Sequence, residues 1–106
     1  WNGDIPSTFE NLKMSITSGL SMSMCGIPWW NSDIGGFLNG DTESDYFREL
    51  IVRWFQFGLF CPVMRLHGAR KRQSTYTERH PGIIEPSGGD NEIWSFGEKN
   101  YHIIKR

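Results

Sequence analysis

At 106 residues the chain is long enough for one small domain or for a segment of a larger one. A formal net charge of −1 gives no bulk attraction to nucleic acid or to an anionic membrane surface. No apolar run approaches the roughly 20 residues that a membrane-spanning helix needs. Composition departs from the ordinary only in its aromatics, at 14 % with five Trp and seven Phe.

Helix and strand signals alternate along the chain. Ser7-Thr8-Phe9-Glu10 has the Ser-x-x-Glu form of a capping box, in which hydroxyl and carboxylate satisfy orphan amides reciprocally. Phe9, Leu12, Ile16 and Leu20 follow at helical spacing, and Gly19 is placed to end that helix. Leu20, Met22 and Met24 then alternate with small residues up to Ile27, which predicts a short buried strand with the methionines as packing. Pro28 ends it, and a glycine-rich loop runs to Asp41. A second helix is predicted from about Asp45 to Phe57, burying Phe47, Leu50, Ile51, Trp54 and Phe57, with Gly58 as its stop. Leu59 to Met64 predicts a second short strand, weakened by Pro62, which cannot donate to a ladder.

Residues 69–91 are polar and rich in Gly and Pro, a length that suits a functional loop. Arg70-Lys71-Arg72 within it reads as a solvated face. A final helix is predicted from Asp90 or Asn91, with Ile93, Trp94, Tyr101 and Ile104 as its apolar members. Trp29, Trp54 and Trp94 read as core, and His80 and His102 as loop or surface residues. Cys25 and Cys61 lack metal-ligand spacing and lie in apolar stretches, so both are expected as buried free thiols that set no redox compartment.

Three short loops each begin where an apolar stretch ends: Trp1-Asn2-Gly3-Asp4, the run from Pro28 to Phe37, and Met64-Arg65-Leu66-His67-Gly68. Each sets a carboxylate or an imidazole among aromatic residues and glycine. Asp33 lies 29 residues after Asp4, and His67 lies 34 after Asp33. A (β/α)8 barrel of roughly 250 residues spends about 31 on each strand–helix unit and carries its chemistry at the strand C-termini. The spacing therefore predicts an α/β chain, a segment of a (β/α)8 barrel whose successive strands feed one pocket. The chain opens on Trp1 without an initiator Met, and three units cannot close a barrel, so residues 1–106 are expected to be a fragment of one catalytic domain with no internal boundary.

The runs Trp-x-Gly-Asp at 1–4, Ser-Asp-Ile-Gly-Gly-Phe at 32–37, Arg-Trp-Phe-Gln-Phe-Gly at 53–58 and Cys-Pro-x-Met-Arg-Leu-His-Gly at 61–68 closely resemble glycoside hydrolase family 31. That family contains α-glucosidases and α-xylosidases, retaining enzymes on a (β/α)8 barrel. The resemblance runs from residue 1 to about 68, continues more weakly through Gly89-Asp90-Asn91, and implies strands six to eight with their following helices.

The resemblance also implies roles. Asp4 matches the general acid/base, which protonates the leaving oxygen and later deprotonates a water. A carboxyl beside an apolar Trp wall and a second carboxylate can be held protonated for that work. Asp33 and His67 match groups that hydrogen-bond sugar hydroxyls, and Arg65 an arginine that fixes carboxylates by paired hydrogen bonds. Trp1 and Phe37, with Trp30, would supply aromatic walls. The family's nucleophile is an aspartate at the end of strand four, upstream of residue 1, so this segment alone is expected to be inactive. The implied partner is an oligosaccharide or glycoside, with no cofactor, metal, nucleic acid or membrane.

Each residue has a plainer reading. An Asp after Gly is ordinarily a turn or cap residue, Asp33 could cap the turn before Gly35-Gly36, a lone His is ordinarily structural, and Arg65 could simply tie down a buried carboxylate. Two other functions compete: a non-catalytic carbohydrate-binding module, suggested by the Trp content and expected to be antiparallel β, and an inactive family relative. Elimination in place of hydrolysis, as in an α-glucan lyase, is a variant within the family. Glucose and xylose are not separated by these residues.

Overall fold

A computed structural model describes residues 1–70 and 90–106. The described elements are α1 (Phe9–Met24), α2 (Asp45–Gly58), a 3-10 turn (Ile93–Phe96) and α3 (Glu98–Ile104). Between them, three isolated parallel bridges join Pro6 to Leu38, Asp33 to Arg65 and Gly40 to Arg70. The segment 33–40 is therefore central, with 1–7 on one flank and 65–70 on the other. Parallel pairing is what the alternating reading predicts, but it is confined to single bridges, with no extended strand among the described residues.

Helix α1 departs from expectation at both ends. Thr8, not Ser7, is the N-cap, its hydroxyl accepting from Asn11 N at 3.1 Å. Gly19 does not end the helix. A Cβ there would stand 2.7 Å from the Trp30 indole, so this glycine serves a close approach within a continuous helix. The predicted strand over Leu20–Ile27 is accordingly the last turn of α1 and its stop. Ser21 and Ser23 hydroxyls bond back to Thr17 O and Gly19 O, an i−4 pattern that places both within the helix that their alternation with Met disguises. The stop is Gly26, at φ 81°, where Gly26 N donates to Ser23 O and Ile27 N to Met22 O, the two bonds of a Schellman motif. Met24 is 89 % exposed, so it does not pack.

Helix α2 forms as its periodicity predicts. Ser44 caps it through Phe47 N, and Phe47, Leu50, Ile51 and Trp54 are buried at i, i+3, i+4 and i+7, with Phe57 partly buried. Together with Leu12, Ile34, Val52 and Phe96 they make the core. The Trp54 indole N–H donates to Ser32 Oγ at 2.8 Å, tying α2 to the segment before Asp33. Residues 59–63 form turns and bends and Met64 is irregular, correcting the second predicted strand.

The last predicted helix is two pieces. Gly97, at φ 87°, separates the 3-10 turn from α3 and resets the helical phase. Phe96 consequently enters the core, edge-on to Phe47 with ring centroids 5.9 Å apart, while Trp94 faces out. Trp29 is likewise 77 % exposed, and of the three Trp expected in the core Trp54 alone is buried. Both cysteines are free, but Cys25 is exposed and Cys61 only partly buried, where burial pushes its thiol pKa up. His102 is exposed and pairs with Glu98 at 2.9 Å. Most of the predicted 69–91 loop, Lys71, Arg72 and His80 among it, lies outside the described residues.

Candidate active site

The first of the three loops docks on the start of α1. Asn2 Nδ2 donates to Ser15 Oγ at 2.7 Å, Ser15 Oγ donates to Asn11 O at 2.8 Å, and Asn11 Nδ2 donates to Pro6 O at 2.9 Å. The backbone is thus clasped on both sides of Asp4. Asp4 follows Gly3, at φ 81°, and its carboxylate is exposed with no hydrogen-bonding partner among the described residues. Ile5, next in the chain, accepts through its carbonyl from Phe37 N at 2.8 Å and Leu38 N at 3.1 Å. Asp4 therefore sits one residue from the backbone that carries Phe37.

Asp33 is completely buried. Its Oδ1 accepts from Arg65 Nε at 2.9 Å and its Oδ2 from Trp1 Nε1 at 3.0 Å. Arg65 also lies over the Trp1 ring, 5.9 Å from its centroid. A charge-assisted bond of this kind compensates the burial of a carboxylate, which is costly when unpaired. Arg65 thus engages Asp33 through one nitrogen, not the paired fork expected; the second bond comes from the indole. On the same central segment, Phe37 meets His67 with ring planes tilted at 49° and centroids 5.2 Å apart, and Ala69 N donates to Phe37 O at 2.8 Å.

The structure brings Trp1, Asp33 and Arg65 into one bonded group and Phe37 with His67 into another, both built on the central segment. It does not bond Asp4 to either. Trp30, expected as an aromatic wall, is buried with Gly19 against it, and with Trp1 lines a cleft of about 500 Å³ over α1 that also touches Asn2 and Met22. None of Asp4, Asp33, Phe37, Arg65 and His67 lines that cleft.

Sequence reasoning missed one side chain here. Arg70, read as solvated, is 8 % exposed. Its Nη1 and Nη2 donate to Gly36 O and Ile34 O, each at 2.8 Å, and its guanidinium lies 4.9 Å from the Phe47 ring centroid. Burial pushes its pKa down to about 10, with the charge of Asp33 opposing that shift. Glycines at 35, 40 and 68 were the available signal, since they clear the space that the guanidinium fills.

The whole chain, residues 1–106, matches the model of the glycosyl hydrolases family 31 TIM-barrel domain. An uncharacterized family 31 glucosidase of Pseudescherichia vulneris is 48 % identical over 71 residues, covering 67 % of this chain and 13 % of the relative. Alpha-xylosidase A of Aspergillus niger is 36 % identical over 113 residues, covering 98 % of this chain and 14 % of its own length. Among solved structures, an α-xylosidase of the family from a soil metagenome, complexed with xylose, superposes with a TM-score of 0.83 at 52 % identity, over 99 % of this chain and 16 % of that one. The chain therefore spans about one seventh of the length of each of these three relatives.

Proposed function

The chain belongs to glycosyl hydrolase family 31, and we propose that it supplies part of the catalytic barrel, strands six to eight, of a retaining exo-acting α-glycosidase that removes terminal α-linked xylose or glucose. The observation that carries this reading is the parallel alignment of the three loop segments, which joins Trp1, Asp33 and Arg65 in one group and Phe37 with His67 in another. All three bridges are parallel, which disfavours the antiparallel binding module.

In this reading Asp4 is the general acid/base. As an acid it gives its proton to the glycosidic oxygen while a carboxylate elsewhere in the barrel attacks the anomeric carbon and forms the glycosyl-enzyme. As a base it then takes a proton from the water that opens that intermediate. Its exposure, with no competing partner among the described residues, leaves the carboxyl open to a leaving group. Asp33 contributes acceptors to the glycone subsite. A carboxylate offers about four acceptor positions, and the Trp1 indole, half exposed itself, is the group a sugar hydroxyl displaces. His67 binds a hydroxyl while Phe37 holds its ring, and Trp1 and Phe37 are apolar walls. Arg65 keeps Asp33 compensated.

The test is Asp4→Ala in the complete enzyme, with an activated aryl α-xyloside compared against an unactivated α-linked disaccharide. General acid catalysis is worth about 10²–10⁴-fold, so kcat/KM on the disaccharide falls by that order. The pre-steady-state release of a good aryl leaving group survives, because it needs little proton assistance. Equal losses on both substrates remove Asp4 from the role. Elimination in place of hydrolysis would appear as an unsaturated sugar product.

A further inference from the structure

Ile34 O and Gly36 O flank Gly35, and Gly35 and Gly36 both take positive φ, 87° and 76°. The chain turns here, with Asp33 on one side of the turn and Phe37 on the other. The Arg70 fork spans the turn by binding both carbonyls at once. Its seat is built from two segments: a Cβ at Gly35 or Gly40 of the central segment would stand 3.2 or 2.9 Å from Arg70 side-chain atoms, and one at Gly68 of the flanking segment 2.7 Å.

We propose that Arg70 is a positioning residue for sugar binding: by clamping the Ile34 and Gly36 carbonyls it fixes the Gly35-Gly36 turn in the pose that presents Asp33 and Phe37 to the glycone. This rests on the reading of Asp33 and Phe37 as glycone contacts. The geometry asks for arginine in particular. A planar guanidinium meets two carbonyls with two parallel donors, whereas a lysine ammonium is a compact point charge on a flexible stem and reaches one well. The nearby Asp33 carboxylate favours the cation in this buried seat.

The experiment uses the complete enzyme and xylose, the sugar bound in the similar crystal structure. Arg70→Met, Arg70→Lys and Asp33→Asn are compared with the parent for xylose affinity by calorimetry and for kcat and KM on activated and unactivated xylosides, per mole of folded enzyme. The expected result is a tenfold or greater weakening of xylose binding, and a matching rise in KM, for Arg70→Met. Arg70→Lys falls in between, and the ratio of rates on activated and unactivated substrates stays as in the parent, since Asp4 is untouched. A folded Arg70→Met that binds xylose as the parent does, while Asp33→Asn binds it weakly, overturns the positioning role alone. Unchanged binding by Asp33→Asn removes the premise and the proposal with it. Failure of both Arg70 variants to fold also overturns it, because a clamp on one turn is not what holds the whole barrel together.

Discussion

At the residue scale, the candidate site shows how a buried charge is made tolerable. Asp33 has no solvent and two donors, one from a cation and one from an indole. Its motif neighbours and an arginine that holds a carboxylate were legible, but the Trp1 indole as second donor was not, because it lies 32 residues away in sequence. His67 is the reverse case, exposed, with its ring tilted against that of Phe37. Replacing it by Ala in the complete enzyme should lower kcat/KM about a hundredfold, close to 3 kcal/mol, if its hydroxyl contact tightens in the transition state. An unchanged kcat/KM on aryl xylosides assigns it a structural part. Asp90 gives a stability test. Burial first, and then the charge of Glu92, hold its carboxyl pKa above the ordinary value. The stability this group contributes is thus present below the ordinary carboxylate pKa and lost as pH rises through the raised one. Asp90→Asn, which has no proton to lose and tolerates the positive φ of 53°, should raise the melting temperature at neutral pH. That advantage should vanish in acid, as thermal unfolding across the range would record.

At the element scale, α2 was legible because four buried side chains repeat with the helical period, whereas its Ser44 cap was not read from the sequence. The end of α1 was not, because two glycines compete for the role of stop and only their contacts distinguish them. Gly26 turns the chain through positive φ; Gly19 lets an indole approach. Gly19→Ala weighs these terms against each other. Helix propensity gains up to about 1 kcal/mol, while overpacking against buried Trp30 costs about 1–3 kcal/mol. The variant should therefore unfold at lower urea than the parent, and Gly19→Val lower still; a raised midpoint for the alanine variant would show that the indole yields. The C-terminal helix failed for a related reason. One glycine at positive φ breaks the phase, so that Phe96 takes the core position expected of Trp94.

At the scale of the whole molecule, the described residues leave Leu20, Trp29, Leu59, Phe60 and Trp94 exposed, apolar surface that further units of a barrel would cover. Asp33 is their one fully buried carboxylate, and both of its oxygens are already engaged. A retaining mechanism needs two carboxyl groups about 5–5.5 Å apart. The 106-residue chain assayed alone should accordingly release no aryl leaving group above background, while the complete enzyme does; turnover by the isolated chain would locate both carboxyls within it.

The order of motifs along the chain, the strong period of α2 and the family were determined by sequence alone, because each is written in near neighbours or in short runs of residue types. Only the tertiary structure decided that the parallel pairing is confined to single bridges among the described residues, that Asp33 is locked between an arginine and an indole, and that Arg70 lies inside. Those outcomes depend on which distant groups share a space too small for water, and a buried charge takes its partners from wherever the fold brings them.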